Sequence, residues 1–208
     1  MYSLYYQPFA CSFAIHTALE KISAPYELHR IDLIKQEQLE DGFLNINPLA
    51  QVPVLKYQDK TIRQAGAILL FLSEQHPEAK ILPYVCSPDR SLALEMLFYL
   101  SNTVHPLFSR LFYPERFAAN NMEEVKQIAF EKIQSTLVHF DHIFSQRNYT
   151  INNRLYATDY YLLAILNWLQ LFQVDTMNLV HLRKYIQRVK KHSEVHAILN
   201  KEMQTLTT

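Results

Sequence analysis

The 208 residues predict an α/β unit built on one mixed sheet, followed by an all-helical unit. Three observations carry this. Strand-like and helix-like segments alternate up to about residue 80. The strand pattern stops after residue 88, where long helical segments begin. Between them, residues 81–88 hold two prolines and read as a linker, giving units over 1–80 and 88–208.

Residues 2–6 read as a strand. Residues 12–22 place Phe13, Ile15, Leu19 and Ile22 at helical spacing. Alternation predicts a second strand over 26–33, then a short polar helix over 36–44. Residues 52–57 and 61–62 are strand-like, with Gln58-Asp59-Lys60 as the turn. Residues 67–74 form an apolar helix. The order β-α-β-α-β-β-α implies helices packed on the faces of one sheet. Ser87-Pro88-Asp89 is a helix start, with serine as N-cap, proline first in the helix and aspartate complementing the dipole. Helices are predicted over 88–111, 122–146, 157–172, 179–191 and 193–205. Pro106 and Pro114 should kink or end the first of these.

Composition narrows the function classes. Twenty basic residues balance twenty acidic ones, which argues against a general electrostatic grip on nucleic acid or an anionic membrane. The longest run without a polar side chain, 65–72, is far short of the ~18 residues of a membrane span. The first basic residue is Lys21, so no secretory signal is expected. Two cysteines, Cys11 and Cys86, cannot form a disulfide scaffold, and a reducing cytoplasm is the expected compartment. Two glycines, Gly42 and Gly66, exclude phosphate-cradling glycine loops.

Two local features carry chemistry. In Pro8-Phe9-Ala10-Cys11-Ser12 the first strand hands over to the first helix. A thiol there sits near exposed N–H groups and the positive end of a helix dipole, which favours thiolate. No Cys-x-x-Cys pair exists, so a redox cycle at Cys11 needs an external thiol. Cys86 is expected to be a bystander. In the second feature, Pro53 opens an apolar strand, where proline is ordinarily unwelcome. Two readings stay open: a trans proline at a strand start, or a cis Val52–Pro53 bond that turns outward main-chain groups able to pair with a peptide-like ligand.

Residues Tyr5-Tyr6-Gln7-Pro8-Phe9-Ala10-Cys11-Ser12 with His16-Thr17-Ala18-Leu19-Glu20 resemble the start of bacterial beta-class glutathione S-transferases. The Asn47-Pro48…Val52-Pro53-Val54-Leu55 element, Thr158-Asp159-Tyr160-Tyr161-Leu162 with Asn167-Trp168, and the tail from Leu182 to Val189 extend the resemblance over nearly the whole chain. It implies the glutathione S-transferase fold: a thioredoxin-like α/β N-terminal domain plus an all-α C-terminal domain. It also implies a homodimer, with glutathione as co-substrate and a small hydrophobic electrophile as second substrate. Carried over by residue, Cys11 faces the glutathione sulfur. Val52, followed by a cis Pro53, pairs with its cysteinyl part, and Lys35 reaches its glycine carboxylate. His105 approaches from the second domain, where it would hold or relay a proton.

The sequence departs from the family at several points. Gln64-Ala65 stands where the family has glutamate followed by serine or glycine, the acid normally meeting the α-amino group of the γ-glutamyl end. Losing that charge-assisted bond costs about 1–3 kcal/mol. Phe9 stands where glycine is preferred, and Tyr156 replaces the serine of a capping box that keeps Asp159. His192 and His196 lack the third ligand of a zinc site, so no metal is expected. The basic run from Arg183 to Lys191 reads as a solvated helix face. The sequence thus points to a glutathione transferase that conjugates small electrophiles, exchanges disulfides through Cys11, or does both. Ser12 and Tyr5 are further candidate hydroxyls. The alternative is a non-catalytic adaptor on the same fold.

Overall fold

The computed structural model describes residues 1–207. Four strands, β1 (Tyr2–Tyr6), β2 (Tyr26–Arg30), β3 (Val54–Tyr57) and β4 (Lys60–Arg63), form one sheet in the order β2-β1-β3-β4. β1 runs parallel to β2 and antiparallel to β3, and β4 is antiparallel to β3. Three helices belong to this unit: α1 (Ser12–Ile22), the single turn α2 (Asp41–Leu44) and α3 (Ala65–Gln75). The predicted element order and mixed sheet are both present.

β1 buries Tyr2, Leu4 and Tyr6, the period-2 face, and turns Tyr5 the other way. Tyr5 stacks on His29 at 4.6 Å and leans on Phe43, on the side away from Cys11. β2 ends at Arg30, short of the predicted Leu33. Asp32 turns the chain there by accepting the N–H groups of Ile34 and Lys35. The predicted helix over 36–44 splits because Glu40 is extended, leaving a 3₁₀ turn at Glu37–Leu39 before α2.

Six helices follow. α4 is Asp89–Tyr99, α5 His105–Phe112, α6 Met122–Gln146, α7 Ala157–Leu166, α8 Val180–Lys190 and α9 Ser193–Thr207. The predicted helix over 88–111 is interrupted between α4 and α5 by a π-helical stretch, Leu100–Val104. Pro106 offers no N–H and its ring would crowd the Asn102 carbonyl, so the helix widens to pass it. α4 starts one residue later than expected, with Ser87 accepting the Asp89 and Arg90 N–H groups through its hydroxyl and carbonyl oxygens. None of these helices is long and apolar enough to cross a membrane.

All ten residues of α7 are buried. It packs along α1, which also contacts α3 and α9. Phe13, Ile15, Ala18 and Leu19 of α1 therefore share one core with Leu162, Leu163, Tyr160 and Val195. The prolines at 83 and 88 do not make a loose tether. Ile81 and Leu82 are buried, the Ile81 carbonyl accepts the Ala157 N–H at 2.7 Å, and Arg90 donates to the Pro83 carbonyl at 2.9 Å.

Candidate active site

The turn between β1 and α1 is clamped by the helical unit. Phe9 has a left-handed backbone, φ 58°, the conformation for which glycine is the default residue. Its N–H donates to Glu202 Oε2 at 2.7 Å, and its carbonyl accepts the Trp168 Nε1–H at 2.8 Å. These two bonds, from α9 and from the 3₁₀ turn after α7, hold a bulky residue where the sequence departs from its resemblance. Ser12 Oγ donates to the Gln7 carbonyl at 2.8 Å and accepts the Gln7 N–H, so that hydroxyl is engaged within the turn. Tyr5 lies outside the cleft lining as well. Neither hydroxyl is available there.

Cys11 directly precedes α1, and its side chain is only 6% exposed. Its Sγ–H donates to the Val52 carbonyl at 3.6 Å. Burial pushes the thiol pKa up to about 12, although the main-chain N–H groups of Cys11 and Ser12 pull it down. The expected thiolate is corrected here. The helix start acts in the expected direction, but desolvation outweighs it. Each pKa unit lowers the thiolate fraction tenfold, so Cys11 is expected to alkylate at least about 100-fold more slowly than an exposed thiol at neutral pH. Peptide mapping after iodoacetamide treatment should find Cys86, which is exposed, modified first. Faster modification at Cys11 would show an ionised resting sulfur.

The Val52–Pro53 bond is cis. The loop before it is pinned by buried Asn47, whose Nδ2 donates to the Gln51 carbonyl at 2.7 Å and whose Oδ1 accepts the Leu49 N–H. Gln64 lies across the cleft at the β4–α3 corner, with φ 73° and ψ 121°. Ala65 follows as the first residue of α3.

From the second unit, the π-helical stretch and α5 bring Ser101 and His105 to the opposite wall. His105 Nδ1 shares a 3.0 Å hydrogen bond with the Tyr161 hydroxyl, and its ring lies 5.0 Å from that of Trp168. Burial lowers the His105 pKa to about 4, so the imidazole is neutral at pH 7. Burial also raises the Tyr161 phenol well above its usual range, and a charge on Cys11 would raise it further. The cleft has a volume of about 630 Å³. Phe9, Phe112, Tyr113 and Leu171 give it an apolar, aromatic mouth.

Cys11, Val52, Pro53, Gln64, Ala65 and His105 thus line one cleft. Lys35 is the exception. Leu33 and Ile34 reach the wall, whereas Lys35 is exposed, with Nζ 3.9 Å from Asp32. Sequence reasoning missed Arg63, Tyr161, Trp168 and Glu202. Tyr161 and Trp168 lay in quoted motifs, and the helical register alone did not say that both line the cleft. Glu202 falls at helical spacing from Val195 and Ile198, but neither it nor Arg63 carries a local sign of its partners.

Elsewhere, His192 Nε2 is 2.8 Å from the Tyr149 hydroxyl, and His196 Nδ1 is 3.3 Å from Asn200. Among the described residues no cluster of three or more His, Cys, Asp or Glu could hold a metal ion. Two side chains of the basic run bind the protein itself: Arg188 donates to the Asn148 carbonyl and Arg183 to the Met177 carbonyl.

Comparison with known proteins gives concordant matches. Residues 1–74 match the family model described as "Glutathione S-transferase, N-terminal domain". The chain is 29% identical over 202 residues to the glutathione S-transferase GstA of Escherichia coli O157:H7, covering 96% of this chain and 98% of that one. A sphingomonad glutathione S-transferase solved in complex with glutathione is 30% identical, with TM-score 0.85 over 96% of this chain and 98% of that one. The beta-class enzyme of Sphingomonas chungbukensis is 28% identical, with TM-score 0.86 and the same coverage.

Proposed function

The chain belongs to the glutathione S-transferase family, and on that premise we propose that it is a beta-class-like glutathione transferase that joins glutathione to small hydrophobic electrophiles. The observation that carries this is the convergence of Cys11, the cis Val52–Pro53 edge and His105 on one cleft with an aromatic mouth.

Glutathione lies along the Val52 edge, its cysteinyl main chain pairing with that residue as an added strand would. Its γ-glutamyl end reaches Gln64 and the N–H of Ala65. Lys35, on the rim, meets the glycine carboxylate. The glutathione thiol ionises and its proton goes to solvent, because neutral His105 is too weak a base to keep it. The Cys11 S–H leaves the Val52 carbonyl and donates to the thiolate. Tyr161 donates to His105 Nδ1, which leaves the ring hydrogen on Nε2 as a second donor. The thiolate sulfur then forms a bond to the electrophilic carbon, and the leaving group departs with its electron pair. Phe9, Phe112 and Tyr113 hold the electrophile.

This reading makes the glutathione sulfur the nucleophile and Cys11 a hydrogen-bond donor. Disulfide exchange through Cys11 needs a thiolate that burial opposes, so conjugation is favoured over it. A homodimer is supported by the exposed apolar side chains Leu92 and Phe98 on α4 and Ile128 and Val138 on α6. We place the glutathione-binding domain at 1–80, the helical domain at 88–208, and the protein in the cytoplasm.

Incubating the full chain with glutathione and a chlorinated dinitroarene should yield the thioether, detected by mass. Cys11→Ala should slow turnover about 10- to 100-fold, the effect of removing one donor to a charged sulfur. No thioether from a panel of electrophiles, with glutathione affinity far weaker than millimolar by calorimetry, would favour the adaptor instead.

A further inference from the structure

Arg63 ends β4, directly before Gln64, and lines the cleft. One of its terminal nitrogens, Nη2, donates to the Ile46 carbonyl, which tethers one end of the guanidinium. Its Nε–H is buried without a hydrogen-bond partner. Among the described residues, no carboxylate lies within ion-pair distance of it. Arg63 is half-buried, and its sequestered Nε–H is an unpaired donor that an anionic ligand group in the cleft would satisfy. A guanidinium fork matches a carboxylate in shape and charge.

The rest of the lining contains no aspartate or glutamate. The nearby acids are already engaged. Asp32 accepts two N–H groups and lies 3.7 Å from Arg30. Glu37 accepts the Asp32 N–H, and Glu202, behind the Phe9 turn, is held by Phe9 and His16. Within one protomer the cleft therefore offers a partner to a ligand's carboxylate and no acid to its ammonium group. Gln64 adds a neutral amide where an acid would have supplied the opposite charge.

We propose that Arg63 binds a ligand carboxylate at the β4–α3 corner and that the co-substrate is selected through its anionic groups, with its α-amino group dispensable. This rests on the glutathione reading above and narrows it. The chain takes anionic γ-acyl-cysteinylglycine thiols as a class, whether or not the acyl end carries a free amine. Arg63, next to Gln64, meets the α-carboxylate of that end.

Calorimetry on the full chain tests this with three thiols: glutathione, its des-amino analogue glutaryl-cysteinylglycine, and glutathione amidated at the glutamyl α-carboxylate. Wild-type protein should bind the first two within about threefold and the third at least about tenfold more weakly. Arg63→Gln should weaken both free acids by about 10- to 100-fold and erase the penalty for amidation. Arg63→Lys, which keeps the charge, should recover part of the loss, a recovery that a misfolded site would not give. Gln64→Glu should create a preference for glutathione over the des-amino thiol. The proposal is overturned if wild type binds the des-amino thiol about tenfold or more weakly than glutathione, or if Arg63→Gln keeps the amidation penalty. Binding of none of the three thiols would overturn the glutathione reading itself, and this inference with it.

Discussion

Replacing Glu202 by alanine is expected to destabilise the protein by about 3–5 kcal/mol and to cut transferase turnover at least about tenfold. Glu202 is wholly buried on α9. One of its oxygens accepts the Phe9 N–H at 2.7 Å, and the other is 2.8 Å from His16 Nδ1. The His16 ring is itself buried, edge-on to Tyr6 at 5.7 Å and to Tyr26 at 5.5 Å, and its Nε2 has no partner. Truncation leaves the Phe9 N–H and the buried His16 Nδ1–H without the carboxylate they share. It also frees a left-handed phenylalanine two residues from Cys11, so the sulfur loses its fixed position relative to Val52. Glu202→Gln keeps the shape and one acceptor, and should cost about half as much. Urea titration gives the stability. A turnover loss in the residual folded protein, measured well below the unfolding midpoint, separates positioning from folding. Unchanged turnover in folded Glu202→Ala would show that the Phe9 turn holds itself.

Asp159→Ala is the second large effect, expected at about 3–4 kcal/mol. Asp159 is wholly buried near the start of α7. Its Oδ1 accepts the Thr150 N–H at 2.8 Å and the Tyr185 hydroxyl at 3.0 Å, and its Oδ2 accepts the Tyr156 N–H at 2.8 Å. The carboxylate half of the capping box is thus intact, while the Asp159 N–H goes to the Tyr156 main-chain oxygen. Burial raises the Asp159 pKa to about 6, with the three donors opposing it. A carboxyl raised in the folded state contributes stability that is full below its unfolded pKa and is lost as pH rises through about 6. His105 acts in the opposite sense. Its pKa is depressed to about 4, so its contribution is present above about pH 6.5 and is lost as pH falls through 4. At roughly 1.4 kcal/mol per pKa unit, each group moves stability by about 3 kcal/mol, and the two largely offset in the wild type. Asp159→Ala leaves the histidine unopposed. Its stability should therefore rise more steeply than wild type between about pH 4 and pH 6.5 in a denaturation series. Equal slopes in the two proteins would rule out the aspartate as a titrating group.

What was legible in the sequence follows from the range over which each signal acts. Strand alternation, helical spacing and the prolines are local, and they placed all four strands and the Met122–Gln146 helix. The left-handed Phe9 agrees with the glycine preference noted at that position. The ionisation of Cys11 was misjudged because a helix start is local, whereas desolvation depends on how chain segments far from Cys11 fold over it. The hydrogen-bond partners of Phe9 come from 159 and 193 residues away. Helical spacing puts Glu202 on the buried face of α9 with Val195 and Ile198, but it names none of the distant groups that Glu202 meets. Arg63 was illegible for the same reason, since a lone arginine after a strand looks solvated until the cleft forms around it.

The burial of α1 between the sheet and α7 has a consequence for how the molecule comes apart. Neither unit can melt while the other keeps its interior, because each supplies the wall that the other packs on. Thermal unfolding is then expected to be a single cooperative step, with the sheet and the helices losing structure together in a calorimetric scan.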